Sequence, residues 1–352
     1  MPNCTAREKG KHLKRGAIIL GSLLLAAIAA AQLPHYAPIN DLGKGMYLGK
    51  FQGGLYENGA NVVPGDHDAA GKKFAAQVKP IDGKIVLLSV GMSNAMDEFG
   101  IFLRTSQQNS SMSREVALVN GAFGGIGPCA WTVPHGSPHD HCGGNAPNPY
   151  DFIQSRFDHA GVNENQVQVV WIKEAIASSA QLPAPPSLPD PHADAYAYEG
   201  YIGGMLRAIR IRYPNVKLAF LSSRIYGGFN QESKNHEPYA YEYAFSVKWA
   251  IQAQIDQNER GKPANSTTGD LNYSVAPWIA WGPYMWADGG AARSDGLVWC
   301  GGSLTPDAPC SGAQDFSSDG LHPNVEGSKK VAKLLWEFFS ASPYTRRWFL
   351  NP

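Results

Sequence analysis

Three residues from two distant parts of the chain have the types that nucleophilic acyl transfer needs: Ser93, and His322 with Asp319. A serine hydroxyl is a weak nucleophile until a neighbouring base takes its proton. A histidine does this at neutral pH when a carboxylate fixes its tautomer and stabilises the imidazolium. In "SSDGLHPN" (residues 317–324), Asp319 and His322 are separated by two residues, so one tight turn can aim the carboxylate at the far imidazole nitrogen. Ser93 lies in "KIVLLSVGMSNAMDEFG" (residues 84–100), where an apolar run stops at Gly91 and a helical pattern begins. The run reads as a strand buried on both faces. The carboxyl end of such a strand is where ligands bind in open α/β sheets. Ser93 there is either a helix N-cap or a nucleophile.

Elements that could bring these residues together recur along the chain. Strand-like runs stand at 85–90, 116–119, 167–172, 216–221 and 275–281, and helical periodicity at 196–212, 239–255 and 325–339. Strands alternating with helices predict an α/β fold with a parallel sheet and helices on both faces. Each strand is followed by a polar or aromatic segment: "GMSN", "NGAFGG", "KEA", "SSRIYGG" and "WGPYMWADG". Chemistry is therefore expected at one edge of the sheet. Residues 83–352 read as one domain, and 32–82 as an extended lead-in with at most short strands. "QLPAPPSLPDPH" (residues 181–192) reads as a Pro-rich loop.

The 352 residues carry 30 Lys+Arg against 30 Asp+Glu, a formal net charge of zero. This balance sets nucleic acid aside as a partner. Residues 1–31 combine a basic start with "AIILGSLLLAAIAAA", an apolar stretch short for a membrane span and ending in small residues. It reads as a signal peptide cleaved near residues 29–31, with an uncleaved anchor as the alternative. Either places the body outside the cytoplasm, secreted or periplasmic, with no membrane contact after cleavage. Removing Cys4 leaves Cys129, Cys142, Cys300 and Cys310. Of the three pairings these allow, the two local ones, Cys129–Cys142 and Cys300–Cys310, each close a Gly/Pro-rich loop and are expected as disulfides. His135, His139, Asp140 and His141 cluster in "PHGSPHDHCGG" (residues 134–144). A solvated loop is the expectation there, and the serine chemistry needs no metal or cofactor.

With "GMSN" as nucleophile block and "DGLHP" as Asp-x-x-His block, the chain resembles the SGNH (GDSL-type) hydrolase superfamily over roughly residues 84–339. "GMSN" is also similar to the "GQSN" form of carbohydrate O-acetylesterases. "GGLY", "GMSN", "VVWIKEA" and "SSRIYGG" together resemble a poorly characterised secreted bacterial branch of that superfamily. The resemblance implies a flavodoxin-like three-layer α/β/α sandwich with strand order 2-1-3-4-5, and ester hydrolysis through an acyl-enzyme. It implies an oxyanion hole built from the nucleophile's N–H, a glycine after the second strand and an asparagine after the third. Gly121 matches the glycine. Where the asparagine would stand the sequence has "VVWIKEA". Lys173 is the candidate replacement, through its ammonium or its backbone N–H; the alternative is that it pairs with a carboxylate such as Glu174 while Gly124 or another N–H donates.

Asn94, Arg224, Trp281, Tyr284 and Trp286 are the candidate substrate-binding residues. Arg224 could bind a carboxylate or form a structural ion pair. The three aromatics could stack on a sugar ring or belong to the core. The expected substrate is a small-molecule or glycan ester, with an O-acetylated carbohydrate first. Two rivals are an α/β-hydrolase, because residues 91–95 resemble a nucleophile elbow, and a non-catalytic glycan-binding module on the same fold.

Overall fold

The computed structural model describes residues 35–142, 147–177, 185–230, 235–301, 310 and 314–352. The proposed signal segment, the start of the Pro-rich loop and most of the loop between Cys300 and Cys310 lie outside the described residues. In chain order the helices are α1 (Ile39–Leu42), α2 (Gly65–Ala75), α3 (Ser93–Gln107), α4 (His139–Cys142), α5 (Pro149–Ala160), α6 (Asp194–Arg212), α7 (Tyr239–Glu259), α8 (Val325–Ala341) and α9 (Arg346–Phe349). The strands are β1 (Met46–Tyr47), β2 (Phe51–Gln52), β3 (Ile85–Gly91), β4 (Val116–Asn120), β5 (Val167–Lys173), β6 (Leu218–Leu221) and β7 (Trp278–Trp281).

Strands β3 to β7 form one all-parallel sheet in the order β4-β3-β5-β6-β7. This is the expected 2-1-3-4-5 order, and helices on both faces complete a three-layer α/β/α sandwich. Every residue of β3 and β5 is buried, which is why their sequences are mostly apolar without alternation; the exceptions are Ser89, Gln168 and Lys173. Helices α3 and α8 pack together against one face. There Phe99 stacks on Trp171, Phe102 on Phe339, and Phe220 meets Phe338 edge-on. Helices α6 and α7 pair on the other.

Strands β6 and β7 begin later than their apolar runs suggest. Val216 N–H closes a turn onto Tyr213, and those of Val275 and Ala276 close onto Asn272. Pro277 then offers no N–H to a ladder. The lead-in contains the short β1–β2 hairpin but also α2, a helix the sequence pattern does not announce. Its Gly and Asp content lowers helix propensity. Tertiary packing holds it at the β7 edge: His67 is fully buried with Nε2 bonded to Ile279 O at 2.8 Å, and Gly71 lies directly against the Trp278 ring.

Cys129–Cys142 and Cys300–Cys310 are both disulfide-bonded. Among the described residues no helix is long and apolar enough to cross a membrane.

Candidate active site

Strand β3 delivers Ser93 to the carboxyl edge of the sheet. A Cβ on Gly91 would fall 2.1 Å from Lys173 O, so the close passage of β3 against β5 admits only glycine there. The chain then turns directly into α3, with Met92 at the N-cap position and no side-chain cap. Ser93 is thus the first helical residue and not the N-cap. Its hydroxyl bonds His322 Nε2 at 2.8 Å.

The histidine comes from the turn before α8. Asp319 Oδ2 lies 2.6 Å from His322 Nδ1, while Asp319 Oδ1 accepts the N–H groups of Leu321 (2.9 Å) and His322 (3.0 Å). Burial opposes the charge on Asp319, but the bonds from the His322 ring and these two amides outweigh it and hold the carboxyl below its ordinary value. A carboxylate only accepts, so Nδ1 carries the proton and Nε2 faces the serine as an acceptor. The His322 and Asp319 side chains are 34% and 31% exposed, so the relay can be reached from solvent.

The turn is itself braced. Ser317 N–H bonds His322 O, and Gly320, at φ +66°, passes so close to Phe229 O that a Cβ would sit 1.9 Å from it. Asn324 caps α8 by accepting from the N–H groups of Glu326 and Gly327. Asn94, expected at the substrate, is buried, and its amide donates to Leu321 O at 3.0 Å. It ties the serine helix to the histidine turn.

The chain leaving β4 folds back over the serine. Gly121 is wedged beneath it; a Cβ there would meet Ser89 O at 2.6 Å. Phe123 N–H bonds Gly91 O, and a Cβ on Gly124 would lie 3.7 Å from the Ser93 Cβ. Gly124 therefore borders Ser93 directly. The N–H of Ser93 opens α3, where the first amides of a helix lack intrahelical partners and favour negative charge.

Lys173 does not face that space with its ammonium. Its Nζ is gripped by both oxygens of Glu98 on α3, with Oε2 at 2.6 Å, and both residues are buried. The ammonium is instead half of an interior ion pair, and its partner is not Glu174. Burial pushes Glu98 up and Lys173 down to about 8, each opposed by the other's charge. Arg224 and Glu174 join this interior group. Arg224 is buried between the fields of Glu98 and Glu174, its Nε without a hydrogen-bond partner among the described residues. That buried setting corrects the expectation of a substrate carboxylate at Arg224. Glu174 Oε1 accepts from Ala175 N–H, and burial drives its carboxyl far above the ordinary range.

The aromatic wall is also corrected. Trp281, Tyr284 and Trp286 are core residues at 4%, 5% and 0% exposure. The lead-in covers them: Trp281 Nε1 donates to Leu55 O, and Tyr284 OH accepts from Ile39 N–H. Trp286 Nε1 donates to Glu237. In the His-rich loop, His135 bonds Arg212, while the side chains of Asp140 and His141 lie outside the described residues. Among the described residues no group of three or more His, Cys, Asp or Glu could hold a metal.

Glu98 and Asp97 are the site-adjacent residues that sequence reasoning missed. Asp97, one α3 turn after Ser93, is raised by burial and offset by the charges of His322 and Lys173. The available signal was "DE" one turn into the serine helix, facing a lone lysine that ends a buried strand.

No family model matches the chain, and no curated protein matches it. Solved structures do. One, provisionally described as a platelet activating factor from Streptococcus pneumonia, covers 77% of this chain and 92% of its own at 10% identity, with a TM-score of 0.32. A gut microbial diltiazem-metabolizing enzyme covers 75% of this chain and 48% of its own at 12% identity, with a TM-score of 0.33. Likeness at this level carries no functional argument.

Proposed function

We propose that the protein is a serine hydrolase of SGNH type that cleaves a carboxylic ester. The observation that carries this reading is the unbroken hydrogen-bond chain from Ser93 Oγ through His322 to Asp319. In the proposed cycle His322 Nε2 takes the Ser93 proton as Oγ attacks the ester carbonyl. Asp319 stabilises the imidazolium that forms. The oxyanion is received by the N–H of Ser93 and backbone N–H groups of the loop carrying Gly121 and Gly124. The imidazolium protonates the leaving alcohol as the tetrahedral intermediate collapses to an acyl-enzyme. Water, deprotonated by His322, then releases the acid and restores Ser93.

The O-acetyl group of a carbohydrate is the proposed substrate class, resting on the "GMSN" likeness and on an extracytoplasmic location. The basic-then-apolar N-terminus and the two disulfides support that location. Residues 1–31 are proposed as the signal peptide, 32–82 as the lead-in and 83–352 as the hydrolase domain. The test is hydrolysis of p-nitrophenyl acetate by the purified protein. The wild type is expected to turn over, and Ser93→Ala to lose on the order of 10⁴-fold or more. Equal rates in the two would overturn the assignment.

A further inference from the structure

An open cavity with a mixed apolar and polar lining lies on the face formed by α6 and α7. Its volume is about 400 Å³, within the range of about 300–1,000 Å³ typical of small-ligand sites. It is lined from three separate parts of the chain: Phe51, then Tyr196 and Glu199 on α6 with Trp249 on α7, then Asn265 after α7. The Tyr196 and Trp249 rings stack at 5.0 Å and 11°, an aromatic pair that joins the two helices and lines the trough. A second cavity of about 370 Å³ shares Phe51 and Trp249, so the two form one elongated trough.

Glu199 is the feature that points to a ligand. The residue is 5% exposed, yet its carboxyl lines the cavity with no hydrogen-bond or ion-pair partner among the described residues. Burial raises it to about 7. Its oxygens, without a protein partner among the described residues, reach the solvent of the trough, so a ligand hydroxyl can take the place of water there. Asn265 spends its Oδ1 on the N–H groups of Thr267 and Thr268, a turn that makes no use of its amide nitrogen. The trough therefore offers a carboxyl that can accept or donate, an amide donor and an aromatic pair.

The trough's charge narrows the ligand class. Lys248, Arg260 and Lys262 line the continuation together with Glu57 and Asp256. Arg260 and Lys262 are ion-paired to these carboxylates and Lys248 is bonded to Gln52 O and Gly53 O, so little unpaired charge is left there to hold a cation or an anion. Glu199 further disfavours an anion. A neutral polyhydroxylated ring satisfies both limits, because its hydroxyls accept and donate and its C–H face packs on aromatic rings. We infer that this trough is a saccharide-binding subsite, separate from Ser93, in which Glu199 and Asn265 bond sugar hydroxyls and the Tyr196–Trp249 pair supports the ring. Only the link to a glycan ester rests on the hydrolase reading; the binding itself does not.

The test is isothermal titration of the Ser93→Ala protein with neutral oligosaccharides (cello-, xylo-, manno- and chito-trioses) and with tetramethylammonium. At least one saccharide is expected to bind. Its affinity is expected to fall at least tenfold in Ser93→Ala/Glu199→Gln and several-fold in Ser93→Ala/Asn265→Ala, with circular dichroism confirming that each is folded. No saccharide binding, unchanged binding in both double variants, or saturation by tetramethylammonium alone would overturn the inference. Saccharide binding lost with Glu199 in a protein whose wild type never labels at Ser93 would keep this inference and sink the hydrolase reading.

Discussion

Two charged assemblies meet on helix α3, and they are built in opposite ways. On its first turn Ser93 joins His322 and Asp319 in a half-exposed relay in which each contact is a well-formed hydrogen bond. On its inner face Glu98 joins Lys173, Arg224 and Glu174 in a buried cluster that leaves Arg224 Nε and Glu174 Oε2 without hydrogen bonds among the described residues. The relay is reached by solvent, and its carboxylate is stabilised in the charged form. In the interior group, burial works against the charge on every member. The contrast separates two roles that sequence alone merges. The exposed assembly has the geometry of chemistry; the buried one clamps the end of β5 to the helix that carries the serine.

Asp319→Asn would break the relay's side of this contrast most sharply. The amide no longer holds Nδ1–H, so the histidine loses the tautomer that accepts from Ser93. A fall in kcat of about 10⁴-fold is expected, with the melting temperature little changed. A comparable loss of stability and activity together would place Asp319 with the interior group.

Lys173→Met tests the interior side. It strands the Glu98 carboxylate in the core, and removing one partner of a buried pair costs about 3–5 kcal/mol. Urea unfolding is expected to show a loss of that size. The double variant Glu98→Met/Lys173→Met removes both charges and is expected to recover much of it. If the double variant folds stably but has lost ester turnover, the pair is part of the chemistry and the contrast fails.

The smallest effect is in the pH dependence of stability. Glu199, Glu237 and Glu242 are each raised by burial to about 7. A carboxyl raised in the folded state binds more protons folded than unfolded between its two pKa values. Its stabilisation is complete below the unfolded value and is lost as pH rises through about 7. His67 acts in the other direction: burial lowers it, so its contribution is lost as pH falls below the ordinary histidine value. Three carboxyls outweigh one imidazole, and the melting temperature is expected to fall between about pH 5.5 and 7.5. A rise over that interval would show that these carboxyls are charged and partnered in the native state.

The sheet was legible because β3 and β5, buried on both faces, are runs dominated by Val, Ile and Leu that are followed by polar segments. The relay was legible because its acid and base lie within one turn and its serine follows a strand by two residues, so short-range spacing carried the information. The fate of Lys173 was not, because its partner sits on another element and only the packing of α3 on β5 brings Glu98 to it. Nor was the burial of Trp281, Tyr284 and Trp286. Aromatics after a strand read the same whether they face solvent or, as here, the lead-in that supplies Leu55 O and Ile39 N–H. Helix α2 escaped for a related reason: its stability comes from Trp278 and Ile279 rather than from its own residues.

Intact-mass and peptide mass spectrometry of the protein after fluorophosphonate treatment, beside Ser93→Ala, tests the central claim most directly. An activated nucleophile predicts one adduct, on Ser93, in the wild type and none in the variant. A folded wild-type protein that stays unlabelled at neutral pH would contradict it.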